Sequence, residues 1–217
     1  MFAFTTARPE LPASIREKLR PASWASTRLI PVAAPLNTIL VDPGLRRGTH
    51  VSIAASTGSG GSSLAWHLLA APSAQGYWSA VVGIDDPGAL AMSEAGVSLS
   101  RVLFVPRPRD QWADVVAEFM GDLDIVIVRA PGRPAHAVAR RLSALARERR
   151  CVLVSVSEPS SRWTQPADLT LDVRTARWRR DPHLSHRDII VDAGGRLVGP
   201  RSRALQWGLP LATLWES

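Results

Sequence analysis

Lysine is almost absent from this chain: of its 26 basic residues only Lys18 is not an arginine. The formal charge of +7 therefore sits on guanidinium forks, which pair with phosphates and carboxylates, stack on bases and so fit an acidic partner such as nucleic acid. A GC-rich genome also writes arginine for lysine without functional reason, and both readings stay open until the arginines are placed on one face. Cysteine is as scarce. The single Cys151 excludes an internal disulfide and a cysteine-rich zinc site, and at the head of Val152-Leu153-Val154 it reads as a buried thiol rather than a nucleophile. Of the five histidines only His183 and His186 lie close together, flanked by Asp181 and Asp188, and they complete no recognisable metal motif. No metal and no cofactor is expected. Long apolar runs are missing too, since none approaches the roughly 20 residues that span a bilayer. Met1 to Pro12 lacks the charged-then-apolar layout of a signal peptide. The expectation is a cytoplasmic protein without membrane contact.

What is present suffices for one good-sized core: 217 residues, 46% of them hydrophobic. Ala13 to Arg20 reads as a short helix with Ile15 and Leu19 at i, i+4, capped by Ser14 and stopped by Pro21. An extended piece over Arg28 to Ala34 and a short element over Pro35 to Leu40 follow. From His50 onward apolar strands alternate with helical stretches, the pattern of βαβ units and a largely parallel sheet. Strands are expected at His50 to Ala55, Ser79 to Ile84, Arg101 to Val105, Asp124 to Val128 and Cys151 to Val156. Helices are expected at Ser63 to Ala71, Pro87 to Ala95, Asp110 to Met120 and Ala135 to Arg149. Leu169 to Arg177 and Asp188 to Asp192 read as antiparallel strands added to the sheet, with Arg174, Arg177, Arg179 and Arg180 crowding the loop between them. The expected organisation is an N-terminal segment over 1–35, an α/β core over 36–207 and an apolar tail over 208–217.

The strand-to-helix turn after His50 to Ala55 carries a near-motif. A P-loop has the pattern GxxxxGK[ST], in which backbone N–H groups wrap the phosphates, the lysine neutralises them and the hydroxyl binds magnesium. The corresponding stretch is Ala55-Ser56-Thr57-Gly58-Ser59-Gly60-Gly61-Ser62-Ser63. Gly60 and Ser62 match. Gly61 stands where the lysine belongs and Ala55 where the first glycine belongs, so a backbone nest at a helix N-terminus remains without its principal cation. The second nucleotide motif needs an aspartate ending an apolar strand to hold magnesium. In Asp124-Ile125-Val126-Ile127-Val128-Arg129 that position is Arg129, which repels a metal ion. Two independent losses at positions the chemistry depends on argue together against ATP hydrolysis. Gly58, Gly60, Gly61, Ser62, Ser63, Asp85 and Arg129 are thus expected to form a degenerate, inactive nucleotide site, with no catalytic residue.

The wider stretch carries a resemblance. Leu36 to Leu40, Gly44-Leu45-Arg46-Arg47-Gly48 and the glycine loop resemble the start of a RecA ATPase core, where a "GGLPxG"-like turn precedes the P-loop, and Asp85 ends the strand that in this group ends in the catalytic glutamate. From Asn37 to Leu209, with Gly76-Tyr77-Trp78, Gly96 to Arg101 and Gly199 to Arg203, the chain is similar to the actinobacterial mutasome accessory proteins of the ImuA′ family. That resemblance implies a RecA-like, mostly parallel central sheet flanked by helices, with C-terminal antiparallel strands. It also implies a non-catalytic role in SOS-induced mutagenesis and translesion synthesis. The implied partners are ImuB, an inactive Y-family polymerase relative, and indirectly an error-prone C-family polymerase.

Three hypotheses of different classes remain. An atypical NTPase needs another cation in place of the lysine, such as Arg46 or Arg47. An interaction protein uses the N-terminal segment for self-association and the apolar residues Trp207, Leu209, Leu211, Leu214 and Trp215 for docking, unless these pack home on the sheet edge. Weak DNA contact calls on Arg177, Trp178, Arg179, Arg180, Arg201 and Arg203, with Trp178 stacking on a base, unless solvated arginines and a core tryptophan account for the same letters.

Overall fold

The computed structural model describes residues 28–180, 184–198 and 203–210. The N-terminal helix expected over Ala13 to Arg20 lies outside them. Two short strands come first, β1 (Leu29–Pro31) and β2 (Gly44–Arg46), paired antiparallel to each other around a 3-10 turn at Leu36–Ile39. The alternating series follows as β3 (His50–Ala55), α1 (Gly61–Ala74), β4 (Ser79–Val82), α2 (Ala89–Glu94), β5 (Val102–Val105), α3 (Trp112–Phe119), β6 (Ile125–Val128), α4 (His136–Arg149) and β7 (Val152–Ser157). Three longer strands close the chain, β8 (Leu169–Arg180), β9 (Leu184–Gly194) and β10 (Arg203–Pro210).

Eight strands form one sheet in the order β10-β9-β8-β3-β7-β6-β4-β5. The pairs from β8 through β5 are all parallel, and β9 and β10 are added antiparallel beyond β8. The fold is thus α/β with a large, mostly parallel sheet. The strands β3, β4, β6 and β7 are buried almost end to end, as parallel strands covered on both faces must be, which is why they read as unbroken apolar runs. Alternate side chains serve opposite layers. Ile53, Val81, Ile127, Val154 and Leu171 pack with Leu64, Leu68 and Leu69 of α1, while Ala80, Val126 and Leu153 pack with Trp112 and Phe119 of α3 and Leu142 of α4. Each such side chain contributes roughly 1.5–3 kcal/mol on full burial.

Several expectations change at the chain's end. β8 is not purely antiparallel: Leu169 to Val173 pair in parallel with Val51 to Ala55 on one side, while on the other side β8 runs antiparallel along β9 from Thr170 onward, with a bulge between Val173 and Thr175. An alternating strand looks the same in either direction of pairing, so only the partner decides. Arg174, Arg177, Arg179 and Arg180 consequently lie within β8 rather than in a loop. The helix expected from Asp110 begins as a 3-10 turn at Arg109–Gln111 and becomes α-helical at Trp112. Ile30 and Val32 belong to the same buried cluster as Leu36, and β10 runs on to Pro210.

Candidate functional site

The parallel strands all end at one edge of the sheet, where α/β folds bind ligands in the crevice beyond the strand ends. The turn after β3 rises there and enters α1, whose first residues leave backbone N–H groups without helical partners. Gly58 has φ +76° and Gly60 +108°, left-handed conformations that glycine alone adopts without strain, and they fold the loop back on itself. A cleft of about 280 Å³ opens over this turn, lined by Gly58, Gly60, Gly61, Ser62 and Ser63 on one side and by Arg129, Ser157 and Glu158 on the other. The structure therefore brings together every residue of the degenerate motif except Asp85. Asp85 lies in an adjoining depression that shares Arg129, and it is paired there with Arg107 at 3.4 Å.

Two side chains fill the roles that a bound ion and phosphates fill in a working P-loop. Arg129 donates from Nη2 to the Ser62 hydroxyl at 3.2 Å, the hydroxyl that the pattern assigns to magnesium. Glu158 follows β7, which the sheet order sets beside β3, and its Oε1 accepts from the Thr57 backbone N–H at 3.0 Å and from the Thr57 hydroxyl at 2.5 Å. A carboxylate thus satisfies an amide of the nest, and a guanidinium sits where a divalent cation would be held. A magnesium nucleotide does not fit these groups, because its phosphates would face Glu158 and its metal would face Arg129.

The absence of lysine at position 61 has a steric counterpart. A Cβ added to Gly61 would lie 2.5 Å from the Ala55 Cβ, closer than two carbons approach. The pattern's glycine and side-chain-bearing residue have exchanged places, so either position can carry a Cβ but not both. Glu158 escaped sequence reasoning. Its only signal was a carboxylate directly after an apolar strand, and the meaning of that signal depends on which strand lies next to the glycine loop.

The remaining candidates fall elsewhere. Arg46 and Arg47 precede β3 and so lie at the opposite edge, roughly 20 Å from the loop at about 3.3 Å per strand residue, which rules them out as substitutes for the lysine. Each is already engaged. Arg46 pairs with Asp42 at 2.7 Å, and the nearly buried Arg47 pairs at 2.7 Å with Asp124, whose other oxygen accepts from the Trp78 backbone N–H at 2.9 Å. Asp168 anchors the same edge, accepting from the His50 N–H at 2.9 Å and from Arg196 at 2.7 Å. Burial works against its charge, but Arg196 and the His50 N–H, with Arg147 beyond, outweigh that and hold its carboxyl below the usual range.

Of the residues proposed to touch DNA, Arg177, Trp178, Arg179 and Arg180 are placed as strand β8 and Arg203 as the first residue of β10, while Arg201 lies outside the described residues. Of those proposed to dock a partner, Trp207 packs at home. It is half-buried against the core, with its ring 4.3 Å from that of His67 on α1 in an edge-on arrangement. Leu209 is a strand residue of β10, opposite Arg187. Leu211, Leu214 and Trp215 lie outside the described residues, as do Asp181 and His183. Among the described residues no group of three His, Cys, Asp or Glu side chains is spaced to hold a metal ion, and no helix is long and apolar enough to cross a membrane. Cys151 is fully buried, and burial pushes its thiol well above the ordinary range.

Residues 38–165 match the family described as the MT3502 N-terminal domain, and the chain belongs to that family. The match takes in the glycine loop, Arg129 and Glu158 and stops before β8. The chain is also 36% identical, over 144 residues covering 66% of its length and 68% of the relative's, to the uncharacterized protein Rv3395c of Mycobacterium tuberculosis (strain ATCC 25618 / H37Rv).

Proposed function

We propose that this member of the MT3502 N-terminal domain family is a non-catalytic, RecA-like accessory protein of the ImuA′ type. It acts in SOS-induced error-prone repair and translesion synthesis by binding other proteins: an ImuB-like inactive Y-family polymerase and, through it, an error-prone C-family polymerase. The observation that carries the non-catalytic part is the self-occupied cleft, with Arg129 on the Ser62 hydroxyl and Glu158 on the Thr57 amide. A fold that keeps the glycine turn in its wound form with internal charges needs no nucleotide to hold that shape. The RecA-like part is supported by the order of strand, glycine turn and helix within a mostly parallel sheet, and by a carboxylate, Asp85, just past the end of β4. The polymerase partners rest on the resemblance described for Asn37 to Leu209.

Two measurements test this reading. Turnover of ATP with magnesium should not exceed a no-protein control. In parallel, the full chain should capture the ImuB-like protein in a pull-down. Magnesium-dependent turnover would overturn the non-catalytic assignment, and failure to capture would overturn the mutasome assignment.

A further inference from the structure

At the edge opposite the glycine loop, the start of β1, the turn after β2 and the end of α4 enclose a pocket of about 520 Å³ lined by Arg28, Arg46, Arg47, Arg147 and Arg150, with Asp42 and Leu29. Five guanidinium groups from three separate segments face one space. Arg46 is paired with Asp42 and Arg47 with Asp124. Arg147 reaches Asp168 only at 4.0 Å, and that carboxylate already holds Arg196 at 2.7 Å. Among the described residues no carboxylate pairs with the exposed Arg28 or Arg150. Arginines at the end of α4 also suit the negative end of its dipole, which accounts for Arg147 and Arg150. It does not account for Arg28 and Arg46, which come from other segments and face the same space.

We infer that this pocket is a phosphate-binding site, taking the phosphates either of a single-stranded nucleic acid backbone or of a free polyphosphate. Carboxylates of a peptide are the rival ligand, and the lining argues against them. Peptide recognition draws its energy from apolar and aromatic anchors buried in apolar walls, and here Leu29 is the one apolar lining residue among the described residues. A ligand whose surface is anionic oxygen suits five guanidinium groups better, since the single carboxylate of the lining, Asp42, is already paired with Arg46. Among the described residues no aromatic ring lines the pocket, so a bound strand is read by its backbone and without base preference. The site lies at the far edge from the glycine-loop cleft and does not depend on what that cleft binds.

The test uses the full chain, a fluorescent 20-residue oligothymidylate followed by anisotropy across a salt series, and pyrophosphate followed by calorimetry. Arg28→Ala with Arg150→Ala removes two charges that hold no carboxylate partner among the described residues, and Arg140→Ala with Arg141→Ala removes equal charge from the exposed face of α4. With a nucleic acid ligand, the first pair lowers the slope of log affinity against log salt by about 1.4, two contacts at roughly 0.7 each. The control pair leaves the slope unchanged. With a free polyphosphate ligand, pyrophosphate binds the parent chain and the control, fails to bind the first pair, and the oligonucleotide behaves alike in all three. Equal loss in both pairs, binding to neither probe, or displacement of either probe by an oligoaspartate peptide at matched ionic strength overturns the inference.

Discussion

The two edges of the parallel sheet treat charge in opposite ways. At the edge where the strands begin, carboxylates are buried and bound more than once: Asp124 serves Arg47 and the Trp78 amide, and Asp168 serves the His50 amide, Arg196 and, at 4.0 Å, Arg147 of α4. At the edge where the strands end, Arg129 and Glu158 are exposed and each contacts the glycine turn through one residue. Breaking a buried, multiply bonded charge leaves its partner desolvated and unpaired, whereas exposed pairs are worth little because water replaces them. One edge thus holds the fold together, and the other holds a local shape that can change without unfolding the chain.

The sharpest way to break that contrast is Asp124→Ala. It removes the carboxylate that pairs with Arg47, whose side chain is only 10% exposed, and the acceptor of the Trp78 N–H. The expected loss is about 3–5 kcal/mol, a fall in Tm of roughly 6–20 °C for a domain of this size. A fall under 2 °C would show that the first edge does not carry the stability assigned to it.

Acid should weaken the same edge next. His50 is buried between Ser155 Oγ at 2.9 Å and Ser143 Oγ at 3.4 Å, beside the Trp163 ring. Burial lowers its pKa to about 4; the Asp168 charge opposes the shift and the Arg147 charge adds to it. The folded state therefore refuses a proton that the unfolded chain accepts near its ordinary value of about 6.5. Stability is full above that value, declines as pH falls toward 4, and has lost at most about 3 kcal/mol there. Urea titrations between pH 7 and 4.5 should show this slope. His50→Gln, which cannot titrate, should flatten it; His67, lowered by burial and partly restored by its bond to the Ser63 carbonyl, leaves a smaller residue of the same sign. An unchanged slope in that variant would assign the acid sensitivity elsewhere.

At the other edge Gly61→Ala tests packing rather than charge. Its Cβ meets that of Ala55, both atoms are fixed by backbone, and the expected cost is about 1–3 kcal/mol, as for other overpacked sites. Adding Ala55→Gly should recover most of it, a coupling that a double-mutant cycle reads directly. For the same reason Gly61→Lys fits only in the presence of Ala55→Gly. Simple additivity of the two changes would refute the exchange of places.

Much of this was legible in the sequence where burial is complete. The strands β3, β4, β6 and β7 are covered on both faces, so their letters are apolar throughout, and the helices between them announce their faces by period. The glycine turn and Arg129 were legible because motif positions are local. Glu158 was not, since its role depends on β7 lying beside β3, a fact of strand order that a separation of 101 positions conceals. β10 was hidden by Gly208 and Pro210, which argue against a strand, although an edge strand tolerates both. The arginines of β8 misled in the same way, because their density suggested a loop while the strand continued past the end of β3 along β9.

The smallest expected effect on stability is the most informative about the cleft. Glu158→Ala removes an exposed carboxylate and should cost no more than about 1 kcal/mol, so Tm should move by a few degrees at most. It also frees the Thr57 amide and removes the negative charge that a phosphate would meet, while Arg129 remains at the Ser62 hydroxyl as the only cation lining the cleft among the described residues. The variant should therefore gain weak, magnesium-independent affinity for pyrophosphate. A concentration five times the dissociation constant raises stability by about 1 kcal/mol, enough to see in a thermal shift. Adding Arg129→Ala should abolish the gain, because the nest then offers dipoles without a charge. Both chains are compared in the Arg28→Ala, Arg150→Ala background, so that the arginine pocket at the opposite edge does not contribute; if that parent responds to pyrophosphate as strongly as its Glu158→Ala form does, the carboxylate does not occupy the nest in solution and the non-catalytic assignment loses its main support. If neither responds, the glycine turn has lost its affinity for phosphate through its own geometry, and Glu158 stabilises the turn without guarding it.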